Sequence, residues 1–267
     1  MYKVTYIFHS SFLISTEECQ VLFDFWKDPH GLLPQLLFPG KPLYVVVSHF
    51  HKDHFNKEIF SLAEQHPQIR FILSKDTAKR SKFFFSPTSG HSGPHLSEEC
   101  RIIMTPGDTF EDSLIRIDAF GSTDEGNSYL LTINGKRIFH AGDLNAWIWK
   151  DESSPKEVEE ALALFRKKIE PLSEFLCKEN VRASVDIDVA LFPVDSRLGT
   201  DYWEGAGIFL KTFRIATFIP MHYGLGTEEE QLKRRIDASR FEQYANPDYP
   251  TEFIGPLQTY GAVCKKF

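Results

Sequence analysis

His49-Phe50-His51-Lys52-Asp53-His54 packs three imidazoles and a carboxylate into six residues. The segment follows Pro42 and a continuous apolar run, Leu43-Tyr44-Val45-Val46-Val47, the pattern of a strand buried on both faces. Open α/β sheets place their ligands at the carboxyl ends of such strands. Imidazole nitrogens and carboxylate oxygens are the donors that zinc and other borderline first-row metals prefer, so the segment reads as the core of a metal site. At this chain's His and Asp frequencies, chance would produce the pattern about once in a thousand such proteins, which separates it from an ordinary histidine-rich surface loop.

The flanking sequence supplies the rest of a sheet protein. Upstream, Val4, Tyr6 and Phe8 alternate as in a strand, followed by Phe12 and Ile14 and, after a polar turn at residues 16–18, by Val21-Leu22-Phe23-Asp24-Phe25. Downstream, residues 55–66 read as helical, Ile69 to Leu73 as another buried strand, and Ser86 to Pro94 as a Gly/Ser/Pro-rich loop. Strands are expected near 101–104 and 113–120. Ser128 to Ile133 and Arg137 to Ala141 flank Asn134-Gly135, a hairpin turn whose residues must tolerate positive φ. From Pro155 to Glu179 the apolar positions Val158, Leu162, Phe165, Ile169, Leu172 and Leu176 recur on one helical face, with Pro171 expected to kink the helix or begin a second segment. A strand at 189–192, a helix near 202–213, a strand at 216–219 and an amphipathic helix from Glu228 to Phe241 complete the pattern. No linker divides it, so one domain spanning residues 1–267, an α/β arrangement of sheets faced by helices, is expected.

Composition narrows the function classes. The chain has 267 residues with 30 Lys+Arg against 37 Asp+Glu, a formal net charge of −7. That balance counts against a duplex nucleic-acid binder, which needs a basic face. No run approaches the roughly 18 apolar residues of a membrane span, and the stretch from Val4 to Thr16 lacks the pattern of a signal peptide. Cys19, Cys100, Cys177 and Cys264 are dispersed without a C-x-x-C pair and are expected to be reduced, buried thiols. The expected location is the cytoplasm, without membrane or nucleic-acid partners and with a small-molecule substrate.

Over most of its length the chain resembles the metallo-β-lactamase superfamily, whose H-x-H-x-D-H signature follows a buried strand. His9-Ser10-Ser11-Phe12-Leu13-Ile14 with Leu22-Phe23-Asp24 is similar to the opening of the branch that contains L-ascorbate-6-phosphate lactonase. Ala141-Gly142-Asp143 resembles the Gly-Asp that supplies a metal-bridging carboxylate, and Pro220-Met221-His222-Tyr223-Gly224 resembles the late histidine turn. The resemblance implies a four-layer αββα sandwich of two mixed sheets with helices on the outer faces. It also implies that His49 and His51 hold a first metal, that Asp53, His54 and His222 hold a second, and that Asp143 bridges them. The cofactor would be zinc, two ions, with manganese or iron as alternatives. Asp24 is expected to orient a ligand or cap its strand.

One position departs from the family. Its usual additional histidine ligand to the first metal is replaced by Ser122, in Phe120-Gly121-Ser122-Thr123-Asp124-Glu125-Gly126. Serine is a poor zinc ligand. The first site would then be depleted, or Asp124, His9 or His140 would substitute, Asp124 foremost. Asp195 and Arg197 follow a strand end and are candidate pocket residues, as are Trp147, Trp149, Tyr202 and Trp203. Arg197 suits a substrate carboxylate or phosphate. His91 and His95 belong to the loop region after Ser86, which a site could use as a lid.

The expected activity is hydrolysis of a small polar ester, lactone or phosphate-bearing substrate by a hydroxide generated between the cations, with Asp53 and His54 in the catalytic machinery. A phosphodiesterase or nuclease of the same fold, redox chemistry of the flavodiiron kind, and a metal-binding protein without catalysis are the alternatives.

Overall fold

The computed structural model describes residues 1–86, 96–179, 184–223, 249–255 and 263–266. The expected helix from Glu228 to Phe241, and His91 and His95, lie outside them. The first sheet contains β1 (Tyr2–Phe8), β2 (Ser11–Thr16), β3 (Gln20–Phe23), β4 (Leu43–Val47), β5 (Ile69–Ser74) and β6 (Arg101–Met104). The second contains β7 (Thr109–Glu111), β8 (Ile115–Gly121), β9 (Asn127–Ile133), β10 (Lys136–His140), β11 (Ile187–Pro193), β12 (Ile215–Met221) and β13 (Glu252–Phe253). A last strand, β14 (Val263–Lys266), returns to pair with β1, giving the orders β14-β1-β2-β3-β4-β5-β6 and β13-β12-β11-β10-β9-β8-β7.

Both sheets are mixed. Strands β3 to β6 run parallel, as do β10 to β13, while the hairpins β1–β2 and β8–β9 are antiparallel. The all-apolar β4 shows why a strand loses its polar alternation here. Tyr44 and Val46 face the core between the sheets, while Leu43, Val45 and Val47 face a separate outer core. That outer core is closed by α1 (Leu33–Leu36), the 3-10 turns at Lys57–Glu64 and α2 (Lys75–Arg80), with the ring of Phe60 4.2 Å from Phe84 and 5.1 Å from Phe71. The helix expected at 55–66 is therefore a tighter 3-10 segment, whose start is capped by the Asn56 side chain accepting from Glu58 N–H.

On the other side, α3 (Pro155–Glu179) and α4 (Glu204–Thr212) cover the second sheet. Phe165, Ile169, Leu172 and Leu176 form the buried stripe of α3, as their spacing requires. The helix runs on through Pro171 instead of breaking there. Pro171 and Lys167 both lie on the exposed face, so the carbonyl that loses its donor to the proline ring is open to water. Phe209 of α4 stacks on Phe139 at 5.2 Å and meets Phe192 at 4.7 Å. Between the sheets, Phe23 of β3 stacks on His140 of β10 at 4.8 Å. The layers are thus helix, sheet, sheet, helix, the αββα sandwich. The hairpin expected around Asn134-Gly135 is β9–β10, with Asn134 and Gly135 both at positive φ.

Strand polarity positions the site. β1 is antiparallel to β2, which is antiparallel to β3, so β1 ends where β3 and β4 end. By the same count β8 ends with β10, β11 and β12. The segments after these seven strands carry His9, Asp24, His49–His54, Ser122–Gly126, Asp143, Asp195 and His222.

Candidate metal centre

These strand ends meet along one edge of the sandwich, and two groups of donors form there. His49, His51, Asp124 and Asp143 each offer one atom within 4.8 Å of the others, and so do His9, Asp53, His54 and His222. The carboxylate of Asp143 faces both groups. Its Oδ2 lies 3.2 Å from His49 Nε2 and 4.0 Å from His51 Nδ1, while its Oδ1 lies 2.9 Å from His54 Nε2 and 3.2 Å from His222 Nε2.

The backbone is held in unusual conformations to achieve this. His9, Asp24, Trp147 and His222 all have positive φ, between 42° and 64°, which side-chain-bearing residues adopt at a cost. Two glycines let the segments approach. A Cβ on Gly126, at φ +72°, would stand 2.0 Å from the Ser48 carbonyl oxygen, and one on Gly142, at φ +55°, would stand 2.8 Å from both the Asn127 carbonyl oxygen and Ser48 Cβ.

Hydrogen bonds set which ring nitrogen of each histidine faces the cluster. His54 Nδ1 donates to Asp24 Oδ2 at 2.7 Å, and His49 Nδ1 to Ser48 Oγ at 2.9 Å. Ser48 Oγ in turn donates to Asp24 Oδ2 at 2.6 Å. His222 Nδ1 donates to Asp195 Oδ2 at 3.1 Å, and His9 Nδ1 to the Tyr223 carbonyl at 3.2 Å. Each of these four rings is anchored through Nδ1 and turns Nε2 inward, the arrangement seen behind metal-ligating histidines. His51 is turned the other way, with Nδ1 toward Asp124 Oδ2 at 3.5 Å.

The inward atoms are left unmatched. His9 Nε2, His54 Nε2, His222 Nε2 and Asp143 Oδ1 are buried and have no hydrogen-bond partner of acceptable geometry among the described residues. Buried polar atoms rarely stay unpaired, and lone pairs converging from imidazole and carboxylate fit a cation.

Charges are coupled accordingly. Burial opposes ionisation of Asp143, but His54 and His222 outweigh it and hold the carboxyl well below the usual range. Burial likewise opposes the charge on Asp53, and contact with His9, reinforced by His54 and His222, reverses the effect. Burial, reinforced by the nearby His222, pushes His9 down to about 4, so that ring is neutral at neutral pH.

The remaining sequence candidates separate. His140 meets neither group. Its Nε2 bonds the Ser10 carbonyl at 2.9 Å, its Nδ1 accepts from Gly142 N–H at 3.2 Å, and its ring is stacked on Phe23, so it cannot substitute for the missing histidine. Ser122 is buried, and its Oγ accepts the Asp124 N–H at 3.2 Å, shaping the turn that presents Asp124. His9 joins His54 and His222, not the pair His49 and His51 beside which the family's additional histidine is missing. Asp24 sits behind the imidazoles. Asp195 does not line an open pocket, because its carboxylate is taken up by His222 and by Arg197, whose Nε and Nη2 both donate to it. Trp147 packs edge-on against His222 at 5.3 Å, whereas Trp149 is exposed. Sequence reasoning passed over Ser48 and Thr123. Ser48 had a legible signal, a hydroxyl directly between a buried strand and the histidine cluster. Thr123, which bonds the Asp143 and Asn145 carbonyls, had none.

With this fold and this edge, the protein is a metallo-hydrolase of the metallo-β-lactamase fold. Residues 20–223 match the family model described as a beta-lactamase superfamily domain, and the chain belongs to that family. It is similar to a UPF0173 metal-dependent hydrolase of Methanosarcina barkeri, at 31% identity over 245 residues, covering 88% of this chain and 91% of the relative. Among solved structures, the metallo hydrolase Igni18 of Ignicoccus hospitalis superposes with a TM-score of 0.57 at 18% identity, covering 94% of this chain and 95% of that one. The metallo-beta-lactamase fold protein YhfI of Bacillus subtilis gives 0.57 at 13% identity, with 94% of each chain covered.

Proposed function

We propose that His49, His51 and Asp143 hold one cation and that Asp53, His54, His222 and Asp143 hold a second. By donor chemistry the metal is zinc, with manganese or iron as alternatives, and the substrate is a small polar ester, lactone or phosphate-bearing molecule. The observation that carries this reading is a set of buried, unpartnered atoms at that edge, Nε2 of His54 and of His222 with Asp143 Oδ1 2.9 and 3.2 Å from them. Cations held there would supply Lewis acidity and a water whose pKa lies near neutrality.

The chain's own residues do the rest. Asp53 is part-exposed, with Oδ2 3.4 Å from His9 Nε2 and 3.7 Å from His222 Nε2. An ionised carboxylate at that edge can take a proton from the attacking water and return it to the leaving group. His54, fully buried between Asp24 and Asp143, is a rigid positioning element. Arg197 is bonded to Asp195 through Nε and Nη2, and its guanidinium is the candidate contact for an anionic group on the substrate. The chain's net charge of −7 speaks against long nucleic-acid substrates.

The test is a panel of esters, lactones, phosphomonoesters and one phosphodiester, run on metal-reconstituted protein, on chelated protein and on His51→Ala. Turnover of one of the first three classes, lost on chelation and in the variant, supports the reading. Turnover confined to the phosphodiester, with salt-sensitive RNA binding, assigns the nuclease alternative instead. Stoichiometric metal without turnover on the whole panel overturns the substrate class.

A further inference from the structure

We infer that the two cation positions are chemically unequal, because Asp124 completes the outer one and His9 the inner one. The inference rests on the two-cation reading above and assigns two donors that the six-residue set leaves out.

The outer position has lost an imidazole and gained a carboxylate. Where the usual family pattern has a histidine, Ser122 spends its hydroxyl on the Asp124 backbone N–H, and Thr123 ties the same turn to the Asp143 and Asn145 carbonyls. The turn thereby brings Asp124 Oδ2 to 3.5 Å from His51 Nδ1, while His49 Nε2 stands 3.2 Å from Asp143 Oδ2. Ligand atoms about 2.1 Å from a tetrahedral metal are about 3.4 Å from one another, so these are ligand-to-ligand separations. The position is open on one side, with the side chains of His51 and Asp124 45% and 44% exposed.

The inner position has gained an imidazole. His9 is fully buried, and three bonds fix its place. Its N–H donates to the Tyr6 hydroxyl at 2.8 Å, its carbonyl accepts from His222 N–H at 3.2 Å, and its Nδ1 donates to the Tyr223 carbonyl. The strained backbone and the anchored ring leave only Nε2 free, aimed at Asp53 Oδ2 at 3.4 Å and unpartnered. A histidine held at φ 54° with its last nitrogen unsatisfied has the stamp of a ligand.

The donor sets therefore differ. The inner position has three buried imidazoles and the part-exposed Asp53, with Asp143 Oδ1; the outer has two imidazoles and two carboxylates and is half-open. Imidazole-rich sets suit zinc and iron, and carboxylate-rich sets suit manganese. The inner position fills first and holds its ion, while the outer fills second, exchanges faster and accepts a harder cation.

The experiment is a titration of the metal-free protein with diamagnetic Zn2+, followed by calorimetry and histidine nitrogen NMR, and a parallel one with Co2+ followed by visible absorption. The expected result is two resolved binding steps. The first equivalent perturbs the His9, His54 and His222 nitrogens and leaves His51 unchanged. Asp124→Asn weakens the second step about tenfold to a hundredfold or more and leaves the first unchanged, while Asp124→His tightens the second. His9→Gln, checked for folding by circular dichroism, weakens the first step by a similar factor. The wild-type NMR reports on His9 even where that variant fails to fold. Two equal steps, or an unperturbed His9 ring at one equivalent together with unchanged binding in Asp124→Asn, overturn the assignment while leaving the two-cation reading in place. No uptake of zinc or cobalt by the wild type overturns both.

Discussion

Asp24→Asn exchanges one carboxylate oxygen for an NH2 at a fully buried position, and the surroundings dictate where that NH2 must go. Asp24 Oδ1 accepts the backbone N–H of Ser48 at 2.7 Å, so an amide nitrogen there would set two donors against each other. The NH2 is thus forced into the Oδ2 place, where the wild type accepts from His54 Nδ1 at 2.7 Å and from Ser48 Oγ at 2.6 Å. Both donors then meet a donor. His54 relieves the conflict by moving its proton to Nε2, the nitrogen that faces Asp143. Ser48 turns its hydroxyl hydrogen toward His49 Nδ1, 2.9 Å away, and pushes the His49 proton to Nε2 as well. One isosteric change therefore occupies two of the inward lone pairs. Hydrogen bonds to a charged group contribute about 1.5–3 kcal/mol each, and 1.4 kcal/mol is a factor of ten. Losing one of them weakens metal binding by about 10- to 100-fold, which matches the usual cost of removing a partner behind a metal ligand. Competition against a chromophoric chelator measures the affinity, and histidine nitrogen NMR at neutral pH reads the tautomers. Wild-type affinity with His54 still protonated at Nδ1 would refute the reasoning.

Gly126→Ala places a Cβ 2.0 Å from the Ser48 carbonyl oxygen at a positive φ, so destabilisation of about 2–6 kcal/mol is expected from urea midpoints, with loss of metal uptake. Phe209→Ala removes the ring between Phe139, Phe192 and Phe213 and is expected to cost about 3–5 kcal/mol of stability while leaving activity per folded molecule unchanged. Chelation should lower the thermal midpoint, and restoring a cation at a hundred times its Kd should return about 2.7 kcal/mol, read by calorimetry. In the metal-free protein, folded His9 refuses a proton until about pH 4, whereas the unfolded chain takes it up near 6.5. The unfolded state binds more protons in that window, so His9 makes the protein less stable as pH falls from about 6.5 to about 4. His9→Gln should flatten that part of the pH profile of the denaturant midpoint, and an unaltered slope would count against a buried neutral ring.

Periodicity along the chain carried the architecture. A strand apolar at every position can only be central in a sheet covered on both faces, and β4 is flanked by β3 and β5 and covered by two cores. The stripe of α3 and the Asn-Gly hairpin were legible for the same reason, since each depends on residues a few positions apart. Pro171 and the 3-10 segment after Asn56 were not, because whether a proline is tolerated or a helix tightens depends on what lies against it.

The candidate site divides along the same line. Residues within one strand-end segment, His49 to His54, announced themselves by spacing alone. Choosing among Ser122, Asp124, His9 and His140 as further donors was beyond the sequence, because these lie at strand ends of different sheets brought together only by packing. His140 and Asp143 are three residues apart, yet the last residue of β10 points into the core against Phe23 while the turn at Gly142 swings Asp143 out to the cluster. Chemistry of donor types is written residue by residue. Which lone pairs converge is a matter of ångströms, set by two sheets closing on one another.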